Sequence, residues 1–431
     1  MNAHPSGPEG EYMRSVFRRL IIILAVAGVW HAPGPGHTQE SAREAILNNF
    51  FPYREQFPTL RDIEPGLKVD STNAQVVSSV LPADLLKYLS AGDFAFTIQQ
   101  TTDFPTRQAF IDATLTHHQG VVVGREELQN YVAGRPFPIL DASDPEAGLK
   151  AIWNLRYRDQ GDNAQMHATM DLVNGSGGVE RSQDFVFSVL YGMHRPDAEK
   201  NILQWERQGI YSKNYMGVLS PADMEGSQFL MVTQDKNSIP VGQWAYDPKT
   251  RRIRKVVYTP YISPDRGVML LEDQNGFMGY IDEYDWKYLG EQTVLAPGPI
   301  HAAESTYGGK GGWYFVDPWE LRRALIIEGT PTASHPLYSR RVLYIDLQTY
   351  MPLYVLAYDH AGVHKRTQLI NARHPDYNPW GNDEWFTYVA GQTAIDYQLE
   401  RASRFRITKI LFNRALPPTQ FTVMGLLLRG K

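Results

Sequence analysis

The run Arg341 to Ile370 limits what this chain can become more than any other stretch. Val342 to Ile345 reads as a strand, Asp346 to Thr349 (DLQT) as a tight turn, and Leu353 to Tyr358 as the returning strand. Asp359 to Gly362 (DHAG) reverses the chain again, and Val363 to Ile370 makes a third strand. Asp and Gly at these points supply the side-chain hydrogen bonds and the positive φ that tight reversals need. Pro352 opens its strand, where a missing NH does no harm. A run of this kind folds as an antiparallel meander.

The same pattern recurs upstream. Gly242 to Tyr246 is a short aromatic strand, Asp247-Pro248-Lys249-Thr250 a turn, and the basic run from Arg251 a returning strand, before the chain reaches an acidic and aromatic cluster at Asp282 to Trp286. Met166 to Val173, Asp184 to Tyr191, Ile202 to Ile210 and Gln228 to Gln234 are further strand candidates, and Asn174 to Gly178 is a Gly-rich turn. Strands at such intervals, without long helices between them, predict an antiparallel sheet rather than βαβ units. Helices are expected at Ser41 to Asn49, at Pro82 to Ser90 and, near the end, at Gln392 to Arg401. Phe94 to Gln100 reads as a strand, and for Arg107 to Thr114 periodicity leaves helix and strand open.

Composition excludes several functions. A formal net charge of −5 without a polybasic run argues against a nucleic-acid partner. With no cysteine there is no disulfide, thiolate zinc site, cysteine nucleophile or lipidated anchor. Arg14, Arg18 and Arg19 precede the apolar run Leu20 to Trp30, which is too short to span a bilayer and has the form of a signal-peptide core, with cleavage expected between Ala32 and Gln39. Residues 1–39 are therefore expected to leave, and the mature chain to be periplasmic.

No catalytic signature of high specificity occurs. Asp282, Glu283 and Asp285 lie beside Tyr284 and Trp286, which suits a glycosidase only if a second carboxylate faces them, and an acidic turn closing a hairpin reads the same way. His117 and His118 are adjacent, and His360 and His364 have helical metal spacing, but DHAG is a turn. Ser176 lies in a Gly-rich turn without a nucleophile-elbow pattern, and Gly308 to Gly312 lacks the Lys-Ser/Thr ending of a phosphate loop. No cofactor or metal is implied. Arg252 and Arg254 alternate onto one side of the basic strand, opposite Arg251, Ile253 and Lys255, and are candidates for docking an acidic partner.

Several segments together carry a family resemblance. They are AGRPFPI (Ala133 to Ile139), GLKAIWNLRYR (Gly148 to Arg158), WAYDPKTRRIRKV (Trp244 to Val256), DEYDWKYLG (Asp282 to Gly290), WELRRALIIEGT from Trp319, and RRVLYIDLQTYMPLYVLAYDHAG ending at Gly362. In order and spacing they resemble a family of secreted Gram-negative proteins of unknown function, commonly labelled outer-membrane lipoprotein-sorting-protein-like. That family is similar in fold to the lipoprotein carrier and acceptor proteins LolA and LolB. The resemblance implies a mainly β (α+β) chain whose curved antiparallel sheet forms a half barrel, with helices on its concave face.

On that basis residues 40–93 are expected to be a mixed extension and 94–431 the half-barrel domain. The resemblance implies a non-catalytic carrier or chaperone for a lipid or other hydrophobic ligand, with transient membrane contact and an exporter of the resistance-nodulation-division class as partner. The alternatives from other classes are a glycan-active hydrolase using the acidic and aromatic cluster, and a non-catalytic adaptor of an exporter. Strand position nominates Phe185, Phe187, Trp244, Tyr246, Tyr284 and Trp286 as ligand contacts, together with Leu343, Ile345, Leu353 and Val355.

Overall fold

One sheet organises the chain. Its computed structural model describes residues 35–430 apart from 265, 378 and 382–386, and the expected leader lies outside them except for its last five residues. Residues Arg43–Lys431 form one compact unit and Met1–Ala42 another; the sheet belongs to the first.

Among the described residues thirteen strands join in a single antiparallel sheet. They are β1 (Asn163–Asn174), β2 (Val179–Tyr191), β3 (Ile210–Ser220), β4 (Gln228–Gln234), β5 (Gly242–Asp247), β6 (Arg252–Val256) and β7 (Tyr284–Pro297). They continue with β8 (Trp319–Pro331), β9 (Arg340–Asp346), β10 (Pro352–Tyr358), β11 (His364–Ala372), β12 (Val389–Asp396) and β13 (Arg401–Phe412). The spatial order is β6-β5-β4-β3-β2-β1-β13-β12-β11-β10-β9-β8-β7. Two consecutive meanders are thus sewn together where the first strand pairs with the last. The sheet is curved but does not close, and its two open edges, β6 and β7, are neighbours in sequence.

Local chemistry makes the hairpins. Asp346 Oδ2 accepts from the Thr349 amide at 2.9 Å and its hydroxyl at 2.8 Å. Asp247 accepts from the Lys249 amide at 2.9 Å and the Thr250 hydroxyl at 3.0 Å. Asp359 Oδ1 takes the Ala361 and Val363 amides at 2.9 and 3.0 Å, and Asn174 Oδ1 takes the Gly178 amide at 2.9 Å. Each side chain satisfies turn amides that have no strand partner.

The helices are α1 (Pro35–Phe50), α2 (Ala83–Ser90), α3 (Gln108–His117), α4 (Ala147–Arg156), α5 (Leu203–Glu206) and α6 (Val423–Arg429). Leu85 and Leu89 of α2, with Val69, Phe94 and Phe96, pack on one face of the second meander against Ala324, Ile326, Tyr354 and Leu356. Ile152 and Leu155 of α4 pack on the other face against Leu325, Ile327, Leu343 and Ile345. Alternate residues of the same strands therefore serve two cores. Gly148 permits the close seating of α4, since a Cβ there would meet the Trp286 carbonyl oxygen at 2.5 Å.

Residues 257–283 carry the chain from edge β6 to edge β7 across the face that bears α4. This crossover is tied down along its length. The Val268 and Met269 amides donate to Ser403 Oγ of β13 at 2.8 and 3.0 Å, and the Asn275 amide to Gln392 Oε1 of β12 at 2.9 Å. Gly276, at φ 82°, lies so close to β10 that a Cβ would meet Pro352 at 2.6 Å.

Three local expectations need correction. Gln392 to Arg401 is not a helix but the end of β12, a turn and the first residue of β13. Every residue of β12 is buried, because both of its faces are covered, so no alternation marks it as a strand. Ile202 to Ile210 is mostly the single helical turn α5 and its exit, with β3 starting only at Ile210. The cluster Asp282 to Trp286 does not close a hairpin; it is where the crossover lands and β7 begins. Of Phe94 to Gln100, Phe96–Thr97 form a two-residue pairing and Ile98 a single parallel bridge to Trp319 of β8, and Gln108 to Thr114 lies in α3, with Arg107 just before it.

Candidate ligand-binding cavity

Between the crossover and the first meander lies a cavity of about 560 Å³. Strand register builds its floor in layers, because residues paired across antiparallel strands project on the same face. Phe412, Ala164, Val189, Asn214 and Met231 make one layer, and Ile410, Met166, Phe187, Met216 and Phe229 the next. Beyond them come Ile407, Ala168, Phe185 and Val218. The roof is the crossover, through Tyr258, Ile262, Met269, Leu271, Phe277 and Tyr280.

Eight of the chain's twelve methionines line this space. Unbranched thioether side chains adapt to differently shaped apolar guests, where a Leu or Ile wall would select one shape. Ile239, Ile262 and Met278 line the cavity and are also 44 to 50% exposed, which marks where it opens. Exposed apolar residues at a cavity mouth favour entry of an apolar molecule over water.

A buried charged cluster anchors the roof. Glu272 and Asp273 of the crossover are buried against Arg341 of β9 and Arg366 of β11. Glu272 accepts from His335 Nε2 at 2.8 Å and from the Tyr284 hydroxyl at 3.1 Å; Asp273 accepts from the Tyr338 hydroxyl at 2.9 Å. Burial pushes the Glu272 carboxyl up, but Arg341 and His335 outweigh it and hold the group below its ordinary range. For Asp273 burial wins, aided by the neighbouring Glu272 charge, and its pKa is raised. Arg366 also pairs with Asp396 at 2.8 Å, a carboxyl that burial raises and Arg366 more than restores, leaving it below its ordinary range.

The structure distributes the nominated contacts unevenly. Phe185 and Phe187 stand in the cavity floor. Tyr284, Trp286, Leu343, Ile345 and Val355 lie in the closed core with α4, and Leu353 in the core on the other face. Trp244 and Tyr246 pack with α6, the Tyr246 hydroxyl donating to the Gly430 carbonyl at 3.0 Å. Arg252 and Arg254 are exposed on the edge strand β6. Tyr284 and Trp286 are 1 and 8% exposed, so no open aromatic platform stands beside Asp282 and Asp285, and Asp285 is paired outward with Arg125 at 2.8 Å. The crossover residues Met269, Leu271 and Phe277 were not nominated; the sole sequence signal for them is apolar character in a segment without period.

Fold and site together define an open, curved β-sheet protein with an apolar chamber roofed by its own crossover. Among the described residues no helix is long and apolar enough to cross a membrane, and no three metal-ligating side chains cluster. The chain belongs to the DUF1329 family of proteins of unknown function, whose profile matches residues 68–413. It is 27% identical over 259 residues to the uncharacterized protein PA3922 of Pseudomonas aeruginosa, covering 56% of this chain and 54% of that one. The match thus spans about half the length of that curated relative. Among solved structures, a DUF1329 family protein from Desulfovibrio piger aligns with a TM-score of 0.47 at 17% identity, over 66% of this chain and all of that one. A domain named for outer-membrane lipoprotein sorting, from Vibrio parahaemolyticus, aligns at 0.46 and 17% over the same shares. A LolA superfamily protein from Nitrosomonas europaea aligns at 0.38 and 12%, again over 66% of this chain and all of that one.

Proposed function

We propose that this chain is a periplasmic carrier that shields one lipid-like molecule from water in the chamber between the first meander and the crossover, and passes it to an envelope exporter. The observation that carries this reading is the layered Met and Phe floor beneath a pinned apolar roof. Each methylene buried there contributes about 0.8 kcal/mol, so an alkyl chain is held without covalent chemistry. Retention rather than conversion is the proposed action. The exposed Arg252 and Arg254 on edge strand β6 are the proposed exporter contact.

Organic extraction of natively purified protein, followed by mass spectrometry, tests the reading. A co-purifying alkyl compound in near-stoichiometric amount is expected, as is binding of dodecanol by the stripped protein. An empty protein that also fails to bind dodecanol overturns the proposal.

A further inference from the structure

The cavity is polar at the end where the chain leaves α4, and its other polar lining groups, among them Gln183, Gln274, Gln392 and the exposed Arg266, lie apart from that end. In register beyond the Val189 layer lie Tyr191, Ser212 and Thr233, on β2, β3 and β4. At that end the chain leaving α4 brings Arg156, Arg158, Asp159 and Gln160 into the lining. Apolar layers on one side and a polar layer with cations on the other give the space the polarity of an amphiphile.

The charges there do not balance. Arg107 contacts Asp159 and lies 3.6 Å from Asp162, Arg195 faces Asp162, and Arg156 faces Asp235. Among the described residues Arg158 is left over. Its guanidinium donates to the Leu155 carbonyl at 2.8 Å, and the titratable groups beside it are the neutral phenols of Tyr191 and Tyr211 rather than a carboxylate. Burial lowers its pKa, yet an arginine stays protonated at neutral pH. Arg158 is half-buried beside Tyr191 and Tyr211, and a guanidinium drawn partly out of water without a counter-charge gains when an anion joins it. In the adjoining layer Asn214 lines the cavity with its buried Oδ1 lacking any hydrogen-bond partner, a second polar position left open.

We propose that the guest is an amphiphile with an oxyanion head, received by Arg158, whose alkyl tail runs across the Met and Phe layers toward Phe185 and Val218. This rests on the carrier reading and narrows it to anionic lipids. The carboxylate of a fatty acid and the phosphate of a phosphoryl lipid share the required chemistry, since a guanidinium fork accepts either. At this end of the cavity Arg156 is occupied by the Gln234 and Asp235 carbonyls at 2.9 and 3.2 Å, which leaves Arg158 as the receiving group there; Arg266 also lines the cavity, but as an exposed residue of the crossover.

Calorimetric titration of the stripped full chain with dodecanoate, dodecyl phosphate and dodecanol tests this. The wild type is expected to bind one or both anions about tenfold to a hundredfold more tightly than the alcohol, as a charge-assisted contact implies. The stronger of the two anions identifies the head. Arg158→Gln is expected to bring the anion-to-alcohol ratio near one, and Arg158→Lys to keep part of it. Equal affinity for all three ligands in the wild type overturns the anionic head while leaving the carrier intact, and needs no variant to fold. A preference that survives in Arg158→Gln overturns the role of Arg158. Failure to bind any of the three removes the carrier reading and this one with it.

Discussion

Arg341 of β9 holds Glu272 of the crossover across 69 positions of chain, with both side chains fully buried. That contact fixes the roof to the sheet beside the apolar packing of Leu270 against Tyr338 and Ala357. Two buried acids meet two arginines, a histidine and two tyrosines, and nearly every polar atom has a partner; Arg341 Nε is the exception. A network so satisfied specifies one position for the crossover.

Removing one member should therefore be severe. Arg341→Ala leaves Glu272 and Asp273 buried without their main counter-charge, and a loss of roughly 3–5 kcal/mol is expected. Arg341→Met combined with Glu272→Gln should cost clearly less than Arg341→Ala, because Asp273 alone then lacks Arg341 and still has Arg366 at 3.9 Å. Urea midpoints measure both. A single variant within about 1 kcal/mol of wild type would sink this account of the anchor.

The two acids should respond to pH in opposite directions. Glu272 has its folded pKa depressed, so its contribution is present above the ordinary carboxylate range and lost as pH falls through the folded value. Asp273 has its folded pKa raised, so its contribution is present below the ordinary range and lost as pH rises through the raised value. Relative to wild type, Glu272→Gln should then lose ground as pH climbs from acid to neutral, and Asp273→Asn should gain it. Denaturant titrations at several pH values decide the matter, and slopes of the same sign would refute it.

Filling the chamber should separate binding from folding. Met216 sits in the middle layer of the floor, and Met216→Trp places added bulk in existing space rather than in a packed core. Stability is expected to stay level or rise by about 0.5–2 kcal/mol, as cavity filling does elsewhere. Alkyl binding should fall about tenfold or more. Undiminished binding in a folded variant would place the guest somewhere other than this layer.

At Gly148 two effects compete. Alanine is the better helix former by roughly 1 kcal/mol, which favours Gly148→Ala. The new Cβ would nevertheless meet the Trp286 backbone at 2.5 Å, and a carbonyl within a strand cannot swing aside. Overpacking costs about 1–3 kcal/mol, so a net loss of stability is expected. A raised melting temperature would show that α4 can lift off β7 at little cost.

The parts of the fold readable from sequence are those made by neighbours. DLQT, DHAG and DPKT encode their own hydrogen bonds within four residues, and the strands they join follow. Alternation in DFVFSVLY likewise places Phe185, Phe187 and Val189 on one face. Strands β8 and β12 carry no such alternation, since a core presses on each of their faces. The nominated residues Leu343, Ile345 and Val355 are of the same types as the cavity floor, and composition alone cannot separate a packed core from a vacant one. The crossover was hardest to read: LEDQNG has no period, and the partners of Glu272 and Asp273 stand in strands far along the chain.

The seam between β1 and β13 has a consequence for how the protein is made. Six strands can zip as they emerge, but β1 offers an unpaired edge until the last strand arrives. The second meander, once formed up to β12, has an open edge of its own. A chain halted before Arg401 would hold two ladders with no bond between them, and Phe405, Ile407, Ile410 and Phe412 would be missing from the chamber. The chamber is therefore a property of the finished chain, and contacts of such long range make its completion slow relative to the hairpins.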